Sequence, residues 1–154
     1  MFREMHKKER EINYNEAIQI LKNGEYGILS TVSQEGYPYG VPVNFVLIDN
    51  SIFFHCATEG HKLENILNDN RVSFCVVGGT CVMPDRFSTK YESVIVFGKA
   101  KEVFDDEKNT ALIEIIKKYS SDYIEEGKEY IKKASAKTKV IKINIEKISG
   151  KASR

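Results

Sequence analysis

The stretch Phe53-Phe-His-Cys-Ala-Thr-Glu-Gly-His-Lys-Leu-Glu-Asn-Ile-Leu67 decides how the chain is read. An apolar strand from Ile52 to Cys56 runs into a short polar turn, and the turn opens an amphipathic helix with Leu63, Ile66 and Leu67 on one face. Gly60, His61 and Lys62 sit at the junction, where the first backbone N–H groups of a helix have no intrahelical acceptor. The helix dipole adds partial positive charge there and Lys62 adds a full one. The junction therefore reads as an anion site, most naturally for a phosphate. The rest of the chain then reads as a barrel wall along which a phosphate-tailed ligand lies.

Upstream, the period of the pattern is two. Gly27 to Ser33 is a strand, Gln34-Glu35-Gly36 a turn, and Tyr39 to Ile48 a second strand interrupted by Pro42. Proline cannot donate to a ladder, so position 42 belongs at an edge, a bulge or a ligand. Asp49-Asn50 turns into the third strand, and the three are expected to form an antiparallel meander. Before them, residues 1–12 read as a mobile arm or edge-packing segment. A capping box, Asn13 with Glu16, opens a helix that ends at Asn23-Gly24 in a left-handed residue.

Downstream, Arg71–Val77 is a fourth strand, Gly78 to Thr89 a loop, and Glu92 to Phe104 a fifth strand bent at Gly98. A helix from Asp105-Asp106 buries Ala111, Leu112, Ile115, Ile116 and Tyr119. A second helix after Ser121-Asp122 carries Tyr123, Ile124, Tyr130 and Ile131. Lys139 to Ile148 alternates cleanly, with Ile141, Ile143 and Ile145 on one face, and is the sixth strand. Six mostly antiparallel strands with late helices predict one domain, residues 1–154, built as a closed or partly closed barrel.

The chain has 154 residues, 42% hydrophobic and 29% charged, with a formal net charge of +1. That balance lacks the basic excess of a nucleic-acid-coating surface. No apolar run approaches the roughly 18 residues of a bilayer span, and a cytoplasmic location is expected. Cys56, Cys75 and Cys81 read as reduced thiols acting as small hydrophobes. His55, Cys56 and His61 lack the spacing of a metal site, and no nucleophile elbow is present.

Several stretches together resemble the FMN-binding split barrels of the pyridoxamine 5′-phosphate oxidase-like superfamily. These are Tyr26–Val32 with Gly36–Val46, Phe54–Lys62, Arg71–Gly78, Tyr91–Ala100 and Ile143–Ala152. The branch they look most like is the nitroimidazole-resistance flavoproteins. The resemblance implies a mainly β (α+β) fold, a six-stranded antiparallel split β-barrel with flanking helices. It also implies a homodimer with two FMN molecules at the subunit interface. On that mapping Gly60, His61 and Lys62 hold the phosphate, and Val43, Asn44 and Phe45 lie against the isoalloxazine through backbone groups. His55, Cys56 and Ala57 line the strand under the flavin, and Ser93 falls where pyridoxamine phosphate oxidase itself carries a cofactor-contacting glutamine.

Each residue also has a plainer reading. Lys62 can be a solvated helix residue, His61 a helix-start cap, His55 a satisfied half-buried strand histidine and Asn44 a turn residue. Ser93 can be a strand residue with solvent or dimer contacts. The activity expected is an FMN-dependent oxidoreductase passing electrons from a nicotinamide donor to a small planar acceptor such as a nitroimidazole. His55 is the candidate proton-transfer group, because its ordinary pKa suits that role. The alternatives are a flavin- or haem-binding module without turnover, and a pyridoxamine phosphate oxidase-type oxidase, for which the chain is short and lacks an arginine cluster.

Overall fold

The computed structural model describes residues 2–154. Its eight-stranded sheet comprises β1 (Glu11–Ile12), β2 (Gly27–Val32), β3 (Pro38–Val43), β4 (Val46–Ile48), β5 (Ser51–Cys56), β6 (Arg71–Met83), β7 (Ser88–Val103) and β8 (Lys139–Ser153). Four helices flank it: α1 (Tyr14–Asn23), α2 (His61–Asn68), α3 (Asp105–Tyr119) and α4 (Ile124–Ala134). The strand order is β3-β2-β6-β7-β8-β5-β4, with β1 added on β8. Every pairing is antiparallel. β3 and β4 stand at opposite ends of this path, yet only residues 44–45 separate them in the chain. So short a link requires the two ends of the sheet to meet, and the sheet curls into a split barrel.

The expected α+β split barrel is therefore present, with eight strands in place of six. The difference has two sources, the splitting of one expected strand and an added β1. The second predicted strand, 39–48, is two strands that break at 44–45 and not at Pro42. Pro42 lies inside β3 opposite Ile28, tolerated because β3 pairs only with β2 and its other edge is free. The three-strand meander is absent, since β3 does not pair with β4.

The predicted loop from Gly78 to Thr89 is instead the far half of a long β6–β7 hairpin. A register shift between Val77 and Thr80 passes Gly78-Gly79 as a bulge, and pairing resumes through Met83 and Ser88. Glycine breakers suggested a loop; the long partner strand kept the ladder. The second extra strand is β1, which pairs Glu11 with Lys151 and Ile12 with Gly150.

Two apolar layers explain the strand patterns. Inside the barrel lie Leu29, Phe45, Ile52, Phe54, Phe74, Val76, Val94, Val96, Ile141 and Ile143. Outside the sheet, Val46, Phe53, Val103 and Val140 pack under Ala111, Leu112 and Ile115 of α3 and Ile131 of α4. β5 and the start of β8 are thus buried on both faces, which is why Ser51–Phe54 shows no alternation. Of the residues the second helix carries, Tyr123 and Tyr130 are mostly exposed, and Ile131 is buried together with Gly127.

Asn13 caps α1, its side-chain oxygen accepting from the Glu16 N–H at 2.9 Å. Gly24 is not left-handed as expected: its φ is −60°. It is small because a Cβ there would stand 2.6 Å from Val76 Cγ1 and 3.2 Å from the Phe45 ring. The bend expected at Gly98 is present as a register shift between Phe97 and Gly98.

Candidate functional site

β5 delivers the chain to α2 through residues 57–60, ending at Gly60 with φ 151°. That angle lies in the region glycine favours. No side chain caps α2, and its first turn closes with the Glu64 N–H donating to the Gly60 carbonyl. The N–H groups of residues 61–63 therefore have no helical acceptor. The space where a Gly60 side chain would project is empty. Lys62 stands close enough for its charge to add to the burial that lowers the His55 pKa and to oppose the burial that raises that of Cys56. The helix start thus has open backbone donors and a cation, the combination that accepts an anionic tail.

Two contacts fix this helix start against the sheet. The His61 ring lies 4.0 Å, centroid to centroid, from that of Tyr39 on β3. Asn65, buried, donates from Nδ2 to Thr31 Oγ1 on β2 at 3.0 Å. Asn65 inside rotates the buried face toward Leu63 and Ile66, so Leu67, predicted inside, is 86% exposed. At about 100° per residue it sits roughly 120° from the centre of that face.

From Tyr39 to Val43, β3 spans about 13 Å at strand rise. At its far end an open cleft of about 720 Å³ is lined by Pro42, Val43 and Asn44, with Glu25 and Tyr26 opposite. This volume is in the range of small-molecule sites. Phe45 lies beneath: its ring is fully buried, edge-on to Phe74 at 4.9 Å. Its backbone is held from α3. The Tyr119 hydroxyl accepts from the Phe45 N–H at 3.0 Å and donates to the Glu25 carbonyl at 2.6 Å. Lys118 Nζ donates to the Phe45 carbonyl at 2.9 Å and lies 3.9 Å over the Phe45 ring.

The other sequence candidates divide. Cys56 points into the barrel, where burial pushes its thiol pKa up. Ala57 is exposed on the turn. Ser93 is half-buried on β7, opposite Val77 and Lys151. His55 projects to the opposite face of β5 from Cys56, toward a cavity of about 110 Å³ lined by Leu112, Ile115 and Ile131. Solvent reaches the residue, but burial of the ring, aided by Lys62, holds its pKa below the ordinary value. Among the described residues no cluster of three or more His, Cys, Asp or Glu could hold a metal ion. Sequence reasoning missed Tyr39, Thr31, Asn65, Glu25, Lys118 and Tyr119. The available signals were a polar residue inside α2 and a tyrosine ending the stripe of α3.

A curled antiparallel sheet with an uncapped helix start and a cleft beside one edge strand defines a small α+β split barrel. The chain belongs to the pyridoxamine 5′-phosphate oxidase family, whose model matches residues 13–152. Among solved structures it is similar to a candidate 5-nitroimidazole antibiotic resistance protein from Bacteroides thetaiotaomicron. That match has 24% identity and a TM-score of 0.74, and it covers 92% of this chain and 86% of the other. It is also similar to an FAD- and haem-binding protein from Mycobacterium smegmatis, at 20% identity and a TM-score of 0.80, covering 94% and 74%. An FAD-binding protein from Mesorhizobium loti matches at 21% identity and a TM-score of 0.68, covering 94% and 98%. No curated protein matches the chain in sequence. No helix among the described residues is long and apolar enough to cross a membrane.

Proposed function

We propose that the chain binds FMN and works as an oxidoreductase, passing electrons from a nicotinamide donor to a small planar acceptor such as a nitroimidazole. The observation that carries this is the pairing of two features along one edge strand. At Tyr39, β3 touches an uncapped, lysine-flanked helix start; at Val43 it ends in an open cleft. Gly60, His61 and Lys62 fit a phosphate, and Val43 with Asn44 fits a flat ring approached by backbone. The bound flavin supplies the redox chemistry, and these residues supply binding and orientation.

The same reading makes the protein a homodimer. Ile95 and Phe97 of β7 and Val77 of β6 are exposed on one sheet face, and Val82 with Phe87 extends from it along the hairpin. An apolar face of this kind marks an interface, here with a second copy. A nicotinamide-reducible FMN spectrum, reoxidised by a nitroimidazole, is expected from the purified protein. FMN binding should be lost in the His61→Ala/Lys62→Ala double variant. Failure of the wild-type protein to take up FMN refutes the assignment.

A binder without turnover is the second reading, and one observation favours it. The ring cleft is lined by only two ionisable side chains, Glu25 and Tyr26, while His55 faces α3 and α4. Reduction without reoxidation by any nitroaromatic would select it. A pyridoxamine phosphate oxidase activity needs a second phosphate clamp, for which the cleft walls offer no arginine.

A further inference from the structure

Lys118 is a half-buried ammonium with no carboxylate within ion-pair distance among the described residues. The neighbouring Lys117 is the residue of α3 that engages Glu114, at 3.2 Å. The groups facing Lys118 are the Phe45 carbonyl and ring, and the Tyr119 phenol, whose ring centroid is 5.2 Å away. Glu25 is the nearest acidic residue tied to this network, and it is joined through its backbone carbonyl to Tyr119. An unpaired, desolvated cation is costly to keep, and such groups concentrate at functional sites. This one sits on the carbonyl of Phe45, the residue after Asn44, which lines the cleft.

We propose that Lys118 and Tyr119 are the positioning residues of the ring end of the site. Tyr119 fixes the separation of the two cleft walls, and Lys118 gives that end a positive field favouring a ring that carries negative charge. The inference rests on the FMN reading. Its geometry does not: one phenol oxygen bonds both the backbone of Glu25, which lines the cleft, and the backbone of Phe45, the residue that follows the cleft-lining Asn44. Hydride transfer from a nicotinamide adds two electrons and one proton to the ring. The nicotinamide leaves oxidised, and the ring is left with one negative charge. A nearby ammonium favours that product over the neutral oxidised ring. Burial alone brings the Lys118 pKa down to about 8, so the charge is present at neutral pH and fades above it.

Three variants test this. Lys118→Met keeps the length and removes the charge, Lys118→Arg keeps a charge that does not titrate, and Tyr119→Phe removes the hydroxyl. In FMN-loaded protein, Lys118→Met should lower the ratio of reduced to oxidised FMN affinity about tenfold, a fall of about 30 mV in midpoint potential. Lys118→Arg should hold the wild-type potential. Wild type should show an added pH dependence near pH 8 that both Lys118 variants lack. In cofactor-free protein, Tyr119→Phe should speed hydrogen exchange at the Phe45 amide, a readout independent of FMN. Equal potentials in wild type and Lys118→Met, with both folded and loaded, overturn the field. Unchanged exchange at Phe45 overturns the clamp. Failure of wild type to bind FMN sinks the flavin reading and leaves the exchange result standing by itself.

Discussion

Replacing Thr31 by valine should destabilise the protein by about 2 kcal/mol, through Asn65 and not through Thr31 itself. Valine nearly matches threonine in shape, so the apolar surroundings of β2 are kept. What changes is the partner of Asn65 Nδ2, which donates to Thr31 Oγ1 at 3.0 Å with both residues over 95% buried. Among the described residues no fully buried side-chain polar atom lacks a partner, so the variant would create the first. An orphaned buried donor costs about 1–3 kcal/mol, whereas removing both partners together is nearly neutral. Asn65→Leu with Thr31→Val should therefore recover most of the loss. In a domain of this size each kcal/mol moves Tm by about 2–4 °C, so the single variant should melt roughly 4–8 °C lower. Urea melts of wild type, both single variants and the double variant give the coupling directly. A double variant whose loss equals the sum of the singles would show that the two side chains do not act as a pair. The bond also holds α2, whose eight residues are marginal as an isolated helix. On the FMN reading, FMN affinity should accordingly fall in Thr31→Val.

Other consequences are as direct. Gly98→Ala places a Cβ 2.2 Å from the Asn144 carbonyl oxygen and 2.9 Å from Ile143 Cγ2, and a ladder carbonyl cannot step aside. The loss should be about 3 kcal/mol or more in denaturant melts. His55 has its folded pKa depressed below the unfolded value of about 6.5. The unfolded chain then binds more protons, so stability is lost as pH falls below about 6.5. His55→Gln should flatten that part of the pH–Tm curve while leaving stability at pH 8 near wild type, and parallel curves would refute the assignment. Phe97→Asp with Val77→Asp should produce monomers by sedimentation if a second copy covers that face. A variant that remains dimeric at micromolar concentration would move the interface elsewhere.

The strands that were legible in sequence are those with one wet face. β2 alternates between buried and half-buried positions, and the first half of β6 does the same. β5 was legible as an apolar run, but not which of its side chains point into the barrel, because Phe53 and His55 meet α3 and α4 instead. The β6–β7 hairpin was misread because Gly78-Gly79 and Pro84-Asp85 are strong local breakers. Ladder pairing from Thr80 to Met83 with Ser88 to Tyr91 is a non-local effect that overrides them. At the site, the α2 start was legible from local chemistry alone. The clamp on Phe45 was not, since it joins residues separated by 74 positions and depends on how α3 lies on the sheet.

The placement of the cleft follows from barrel closure. A strand inside a sheet has its N–H and C=O groups engaged on both sides, so a ligand can read only its side chains. Residues 44–45 carry the chain from one end of the sheet path to the other and pair with neither neighbour. Their backbone groups must therefore be satisfied by something other than a ladder. At Phe45 both groups are taken by α3. At Asn44 no strand does so, and that is where the cleft opens. Recognition by free backbone at a closure point places little demand on which side chains stand there. The solved structures that share 24% identity or less with this chain keep the same fold. The demand falls instead on whatever holds the closure rigid, which in this chain is the Lys118–Tyr119 end of α3.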